Sequence, residues 1–403
     1  MINKINDKEW KFDFFKVFAT EYDNVQIFEK ADKQKFEHFP PVIGNFYDET
    51  ISEELLKEIC EGKLKIKKAK LDENYADNLV KVDYLKNIKI QLNALMQQQI
   101  TNLQQEDPNF LSNEEKEIIE NSEFPFAKLM TVVYSKETDE MTPDDQQQWK
   151  TNMNNFINQQ FVSGIINIYF TMKLYKDNNY VRLFQTPYNK QELWEEYANQ
   201  KRGFCVVYDF KQIKRTNAMN LNRLFPVMYV HEKIIADDLD FPVYNNHCAS
   251  VMKVRQEVSE YDNEWMFIYN HHYTETEYRM LDNLLEPIYH KTINNSKIQQ
   301  ISLKNYLAEE NDELIYKHED IINDLVNVLE SEEFEEDIKS EFDEVLKITD
   351  DEMDIDFMKP EAVYLGPDFP EEDKESYKKL VESTNTRIFQ IKEKDGKIFK
   401  SII

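Results

Sequence analysis

Glycine is scarce in this chain. There are six in 403 residues, and no two have the spacing of a Walker loop or of a G-x-G-x-x-G fingerprint, which argues against both a P-loop ATPase and a doubly wound dinucleotide-binding sheet. Cysteine is scarcer still: Cys60, Cys205 and Cys248 are odd in number and far apart, which suits neither a disulfide framework nor a zinc knuckle. No serine stands in a G-x-S-x-G elbow. Nowhere do 18 uncharged apolar residues follow one another, and the first ten residues lack the apolar core of a signal peptide. The expectation is a cytoplasmic protein with no membrane partner. Positive charge is also short, with 49 Lys and Arg against 77 Asp and Glu, a net charge of -28. Such a surface repels a phosphate backbone at long range, so non-specific DNA binding is disfavoured.

What the chain does hold is apolar mass: 41% hydrophobic and 13% aromatic residues, enough for two or three domains or for one with large insertions. The organising stretch is residues 189 to 210. Asn189 and Glu192 are placed to cap a helix whose buried face is Leu193, Trp194, Tyr197 and Ala198. Gly203 is placed to end it in the left-handed conformation, and Phe204 to Tyr208 then reads as a central strand. Large aromatics with a polar edge serve both as core and as a stacking surface. Either role fits Trp194 and Tyr197.

Around this centre the pattern predicts mixed elements without regular β-α alternation, an α+β chain. Residues 1 to 40 form an N-terminal helical cover carrying Trp10, Phe14, Phe15 and Phe18. A capping box at Thr50 and Glu53 starts a helix over about 51–61, closed by Gly62. In residues 63 to 70, Leu64 and Ile66 alternate with lysines, the pattern of an edge strand protected by charge or, alternatively, of a patch that attracts phosphate. Helical insertions are expected over about 80–162 and 300–350. Between them, 165–175 and 180–186 read as a hairpin, Leu224 to Val230 as a strand with Pro226 at an edge or a start, and 250–272 as mainly helical. From 317 to 347 an apolar stripe faces a dense acidic surface, read as two solvated helices with an interaction surface as the alternative. Ala362 to Gly366, the helix after Pro370, Arg387 to Lys392 and Lys397 to Ile402 complete the order.

Two carboxylate patterns bear on chemistry. His318-Glu-Asp320 has the spacing of a facial triad within an acidic helical segment, a weak signal, and no metal is expected. Thr274 to Arg279, read as a strand, places Glu275, Glu277 and Arg279 on one face. Two carboxylates at i and i+2 repel and titrate together. One can then stabilise developing positive charge while the other orients a nucleophile, as glycosidic chemistry requires. A solvated strand face is the competing account.

The series Leu-Trp-x-x-Tyr-Ala at 193 to 198 with Gly-Phe-Cys at 203 to 205, Pro-Val-x-Tyr at 226 to 229, Glu-x-Glu-Tyr-Arg at 275 to 279 and Val-Tyr-Leu-Gly-Pro at 363 to 367 resembles a large bacterial domain family of unknown function. That family is grouped by fold with the ADP-ribosyltransferases. The resemblance implies an ADP-ribosyltransferase-like split β-sandwich over residues 41–403, interrupted by the helical insertions, that binds NAD as substrate in a cleft. It implies that Glu277 and Glu275 are the catalytic glutamates. Thr186, Trp194, Tyr197, Arg279 and Tyr47 would be cofactor-binding, and an unknown protein or nucleic acid the acceptor. The biological role it suggests is a toxin or phage-defence effector. The first strand departs from the family, because Asn45-Phe46-Tyr47-Asp48 has no basic residue after the tyrosine. The alternative is a catalytically degenerate, acidic interaction protein of the same fold, antitoxin-like or regulatory.

Overall fold

A computed structural model describes residues 10, 11, 14, 25–71, 84–138, 141–186, 190–209, 211, 218–230, 252–254, 263–310, 313–394 and 397–403. The chain divides into two compact units, one of residues 1–81, 175–272 and 350–403, the other of residues 82–174 and 273–349. The strands, in chain order, are β1 (Val42–Tyr47), β2 (Lys63–Lys68), β3 (Asn179–Thr186), β4 (Phe204–Asp209), β5 (Leu224–Pro226), β6 (Met228–Val230), β7 (Met252–Val254), β8 (Asn263–Asn270), β9 (Leu307–Glu310), β10 (Glu313–Tyr316), β11 (Glu352–Asp356), β12 (Ala362–Leu365), β13 (Arg387–Lys394) and β14 (Lys397–Ile402).

In the first unit the apolar run 204 to 208 is the strand the sequence marks most clearly, and it lies inside the sheet as β4, buried on both faces. The sheet is mixed and open, in the order β11-β2-β3-β1-β4-β12-β13-β14, with β8 on β3 and β5 on β8. Pro226 closes β5 opposite Trp265, where a missing amide donor costs little. The parallel pair β12 and β13 brackets the helix Glu371–Ser383, with Tyr377 and Val381 buried. On one face Ile43, Tyr47, Phe204, Val206 and Tyr208 join the larger core. On the other, Phe46, Cys205 and Val207 pack with Leu193, Trp194 and Ala198, so strand alternation divides the two cores. At the start of the chain Trp10 stacks on His38 with ring centroids 4.3 Å apart, and Phe14 is buried.

The edge of β3 is divided. One side pairs with β8 along its whole length, from Asn179 opposite Asn270 to Thr186 opposite Asn263. The other side is shared, by β2 at Tyr180 and Val181 and by β1 at Gln185. Between those two pairings the Asn45 side-chain amide donates to the Leu183 carbonyl at 2.5 Å. A side chain thus takes a ladder position that a neighbouring strand would otherwise fill, as a buried carbonyl requires.

Several expectations are corrected. The strand over 165–175 is helix: Pro143–Asp177 runs unbroken for 35 residues. Ile165, Ile166, Ile168, Tyr169 and Phe170 are all buried there, and between residues 161 and 172 only Asn167 and Thr171 are exposed, so wide a buried face giving the near-continuous apolar run of a buried strand. Gly164 does not break it; a Cβ at that position would overlap the Ile88 side chain. The helical reading of 250–272 gives way to β7 and β8 among the described residues. The lysine strand β2 is no edge. It lies between β11 and β3, and its lysines face the acids of β11, with Lys63 2.6 Å from Asp356 and Lys65 3.0 Å from Glu352.

Caps moved by a residue or two. Ser52, not Thr50, caps the helix Glu53–Glu61, while Gly62 closes it at φ 108° as expected. Lys190 precedes the helix Gln191–Tyr197 without a side-chain cap; the Asn189 cap lies outside the described residues. Gly203 is not left-handed. Asn199, Gln200 and Lys201 carry the positive φ values, 43°, 52° and 72°, and Gly203 serves instead as a close approach, since a Cβ there would strike the Tyr47 carbonyl oxygen.

The second unit is mainly helical, with the β9–β10 hairpin. The acidic stripe is two helices, His318–Leu329 and Glu332–Leu346, burying Ile321, Ile322, Leu325, Leu329, Phe334, Ile338, Phe342 and Val345. Two asparagines one turn apart on the long helix tie down the chain after the helix Ser296–Leu303. Asn154 accepts from the Tyr306 amide at 3.0 Å, and Asn158 donates to the carbonyls of Ser302 and Lys304 and accepts from the Tyr316 hydroxyl at 2.6 Å. No helix among the described residues is long and apolar enough to cross a membrane.

Candidate functional site

The divided edge of β3 collects polar side chains. Alternation along β3 puts Arg182 and Phe184 on the face of the larger core. The Arg182 guanidinium donates to Asn45 Oδ1 from Nε at 2.8 Å and from one terminal nitrogen. It also lies over the Tyr47 ring, 4.6 Å from the centroid, a cation–π contact. Arg182 is half-buried. Burial pushes the Tyr47 and Tyr208 hydroxyls up from the usual phenol range, and the Arg182 charge pulls each partly back. Both phenols are therefore neutral. The Tyr208 hydroxyl, fully buried, has no hydrogen-bond partner among the described residues.

The opposite face carries a second group. Gln185 and Glu264 lie across from each other on β3 and β8, both buried. Tyr197, from the helix 191–197, donates its hydroxyl to Glu264 Oε1 at 2.6 Å and lies 6.3 Å from the Phe46 ring. Trp194 is fully buried with its ring edge-on to Phe46 at 5.1 Å. It packs as core. Thr186 ends β3, half-buried. The structure thus brings Tyr47 and Arg182 together on one face, and Trp194 and Tyr197 together on the other.

Glu275, Glu277 and Arg279 belong to the second unit, and their strand is corrected to a helix, Glu275–Ile293. Thr274 is its N-cap. The Glu277 amide donates to Thr274 Oγ1 at 3.3 Å, and the Thr274 amide donates to Glu277 Oε2 at 2.6 Å. This is a capping box, whose S/T-x-x-E signature alternates much as a charged strand does. Arg279 pairs with Glu275 one turn away at 2.5 Å, with both side chains at least three-quarters exposed. Acids in a first turn also suit the helix dipole. Thr274→Ala is accordingly expected to lower the stability of this helix by about 1 kcal/mol, and Glu277→Gln by less. Thermal unfolding of the two variants checks the order, and an equal or larger loss from Glu277→Gln would contradict the capping role.

Sequence reasoning missed Arg182, Asn45 and Glu264. The signal was a lone charge inside an otherwise apolar strand, Tyr-Val-Arg-Leu-Phe at 180 to 184 and Glu-Trp-Met-Phe at 264 to 267. No family model, no curated protein and no solved structure matches this chain.

Proposed function

We propose that this protein is an ADP-ribosyltransferase-like protein that binds NAD at the Arg182 corner of its sheet without transferring the ADP-ribose. One observation carries this: a guanidinium held in fixed orientation by Asn45 and Tyr47 at the point where two strands share one edge of β3. Of the five donors of an arginine, two point at Asn45, which leaves three for a pyrophosphate, whose paired phosphate oxygens an arginine fork can bind side by side. Arg182 thereby supplies, from the neighbouring strand, the basic group that the first strand lacks. The second half of the proposal rests on Glu277 and Glu275. Their carboxylates are engaged at an exposed helix start, so neither is offered to a ribose.

The test is calorimetry of the full chain with NAD, with nicotinamide release followed in the same samples, for the native protein, Arg182→Gln and Glu277→Gln. We expect saturable binding, weakened about tenfold or more by Arg182→Gln, the order of a lost charge-assisted contact. Nicotinamide release is expected to be absent from all three. An absence of heat at millimolar NAD sinks the binding. Release that Glu277→Gln abolishes restores the active transferase, and with it the search for an acceptor.

A further inference from the structure

The histidine that the sequence marks within a triad spacing has a different set of neighbours in the fold. His318 is the first residue of the helix His318–Leu329, and Glu319 the second. Glu123 comes from the connection ahead of the helix Pro125–Thr138. His318 Nε2 is buried and has no hydrogen-bond partner among the described residues. Its distance to Glu123 Oε2 is 3.9 Å, too long for a hydrogen bond. One ligand atom from each of Glu123, His318 and Glu319 falls within 4.8 Å of the others. Asp320, the third member of the sequence spacing, is not among them.

The imidazole is prepared for a ligand on its Nε2. The Tyr316 main chain hydrogen-bonds the ring, and because Nε2 is unpartnered that bond uses Nδ1, which fixes the tautomer with the lone pair on Nε2. An outer hydrogen bond of this kind is what orients metal-binding histidines. Phe124 covers the imidazole at 4.2 Å between centroids and in turn packs on Phe161. Among the described residues Lys89 faces the group, 3.7 Å from Glu123 Oε1 and 5.2 Å from the centre of the Phe124 ring. It is far enough along the carboxylate to leave Oε2 to another partner.

We propose that Glu123, His318 and Glu319 bind a divalent first-row ion, with Zn2+ the favoured occupant. An imidazole nitrogen with two carboxylates selects such an ion over Mg2+ or Ca2+, which take oxygen ligands, and over Cu(I), which takes sulfur. Three protein ligands leave water to complete the shell. The ion would join the start of one helix to the connection before another within the second unit. The inference is independent of NAD binding.

The probe is Zn2+ itself. The metal-stripped full chain is titrated with ZnCl2 by calorimetry, and with Co2+ followed by its visible absorption, for the native protein, His318→Gln, Glu123→Gln and the exposed control Glu336→Gln. One saturable equivalent is expected, weakened about tenfold to a hundredfold by either ligand substitution and unchanged in the control. Helix content from circular dichroism must match across the set, so that a lost site is distinguished from a lost fold. Uptake that is not saturable, or that survives both ligand substitutions, overturns the proposal.

Discussion

Asp177→Ala is expected to cost the first unit about 3–5 kcal/mol, the loss found when one partner of a buried ion pair is removed. Asp177 ends the long helix just before β3, and its Oδ2 accepts from Lys68 at 2.7 Å while Lys70 binds the other oxygen. Lys68 is 1% exposed and Asp177 5%. Without the carboxylate the Lys68 ammonium still has Asp351 at 3.7 Å, but that group is 65% exposed. Removing Lys70, at 38% exposed, should cost under about 1 kcal/mol, as solvent-screened pairs do. Lys68→Met combined with Asp177→Leu should recover most of the loss, because what destabilises is the uncompensated charge. The measurement is urea unfolding followed by tryptophan fluorescence. Trp10, Trp194 and Trp265 lie in this unit and Trp149 in the other, so the signal reports chiefly where the substitution is made. A loss under about 1 kcal/mol for Asp177→Ala would mean that water already reaches the pair.

Trp194→Ala should cost about as much, roughly 3–5 kcal/mol, as for a large aromatic removed from a core. Its ring is fully buried among Phe46, Leu193, Ala198, Cys205 and Val207, in a space the sheet cannot collapse to fill. Trp194→Phe keeps most of the volume and the edge-on contact with Phe46, and should cost under about half of that. The same two variants separate the roles the sequence left open. As core, Trp194→Ala lowers the urea midpoint and leaves the proposed NAD binding of the folded fraction intact. A stable variant that had lost its affinity for NAD would instead make the indole a wall of the binding site.

Much of the first unit was legible because its strands carry local signals. Phe204 to Tyr208 and Ala362 to Leu365 are apolar runs too short for a helix, and Leu64 and Ile66 alternate with lysines as a half-buried strand must. Residues 165 to 175 failed for the complementary reason. A helix with only a narrow exposed stripe loses much of its 3.6-residue contrast, and Gly164 looks like punctuation until Ile88 is seen against it. Thr274 to Glu277 failed because one short pattern fits two conformations. The capping box satisfies amides that a strand would have needed a neighbour to satisfy. The Arg182 corner was out of reach for another reason. Its meaning depends on Asn45, 137 residues away, and on a break in strand pairing that no local pattern encodes. The left-handed turn at Asn199 to Lys201 was likewise hidden, since the glycine beside it drew the assignment.

The charges of β2 and β11 change meaning once their order is known. The lysines stand one strand in, acting as counterions, and Glu352, Asp354 and Asp356 stand on the outermost strand at that end of the sheet. The guard against pairing with another chain is therefore anionic. At neutral pH a second copy approaching this strand meets carboxylates of its own sign. Salt screens such repulsion between exposed charges, so the guard on this edge weakens as ionic strength rises.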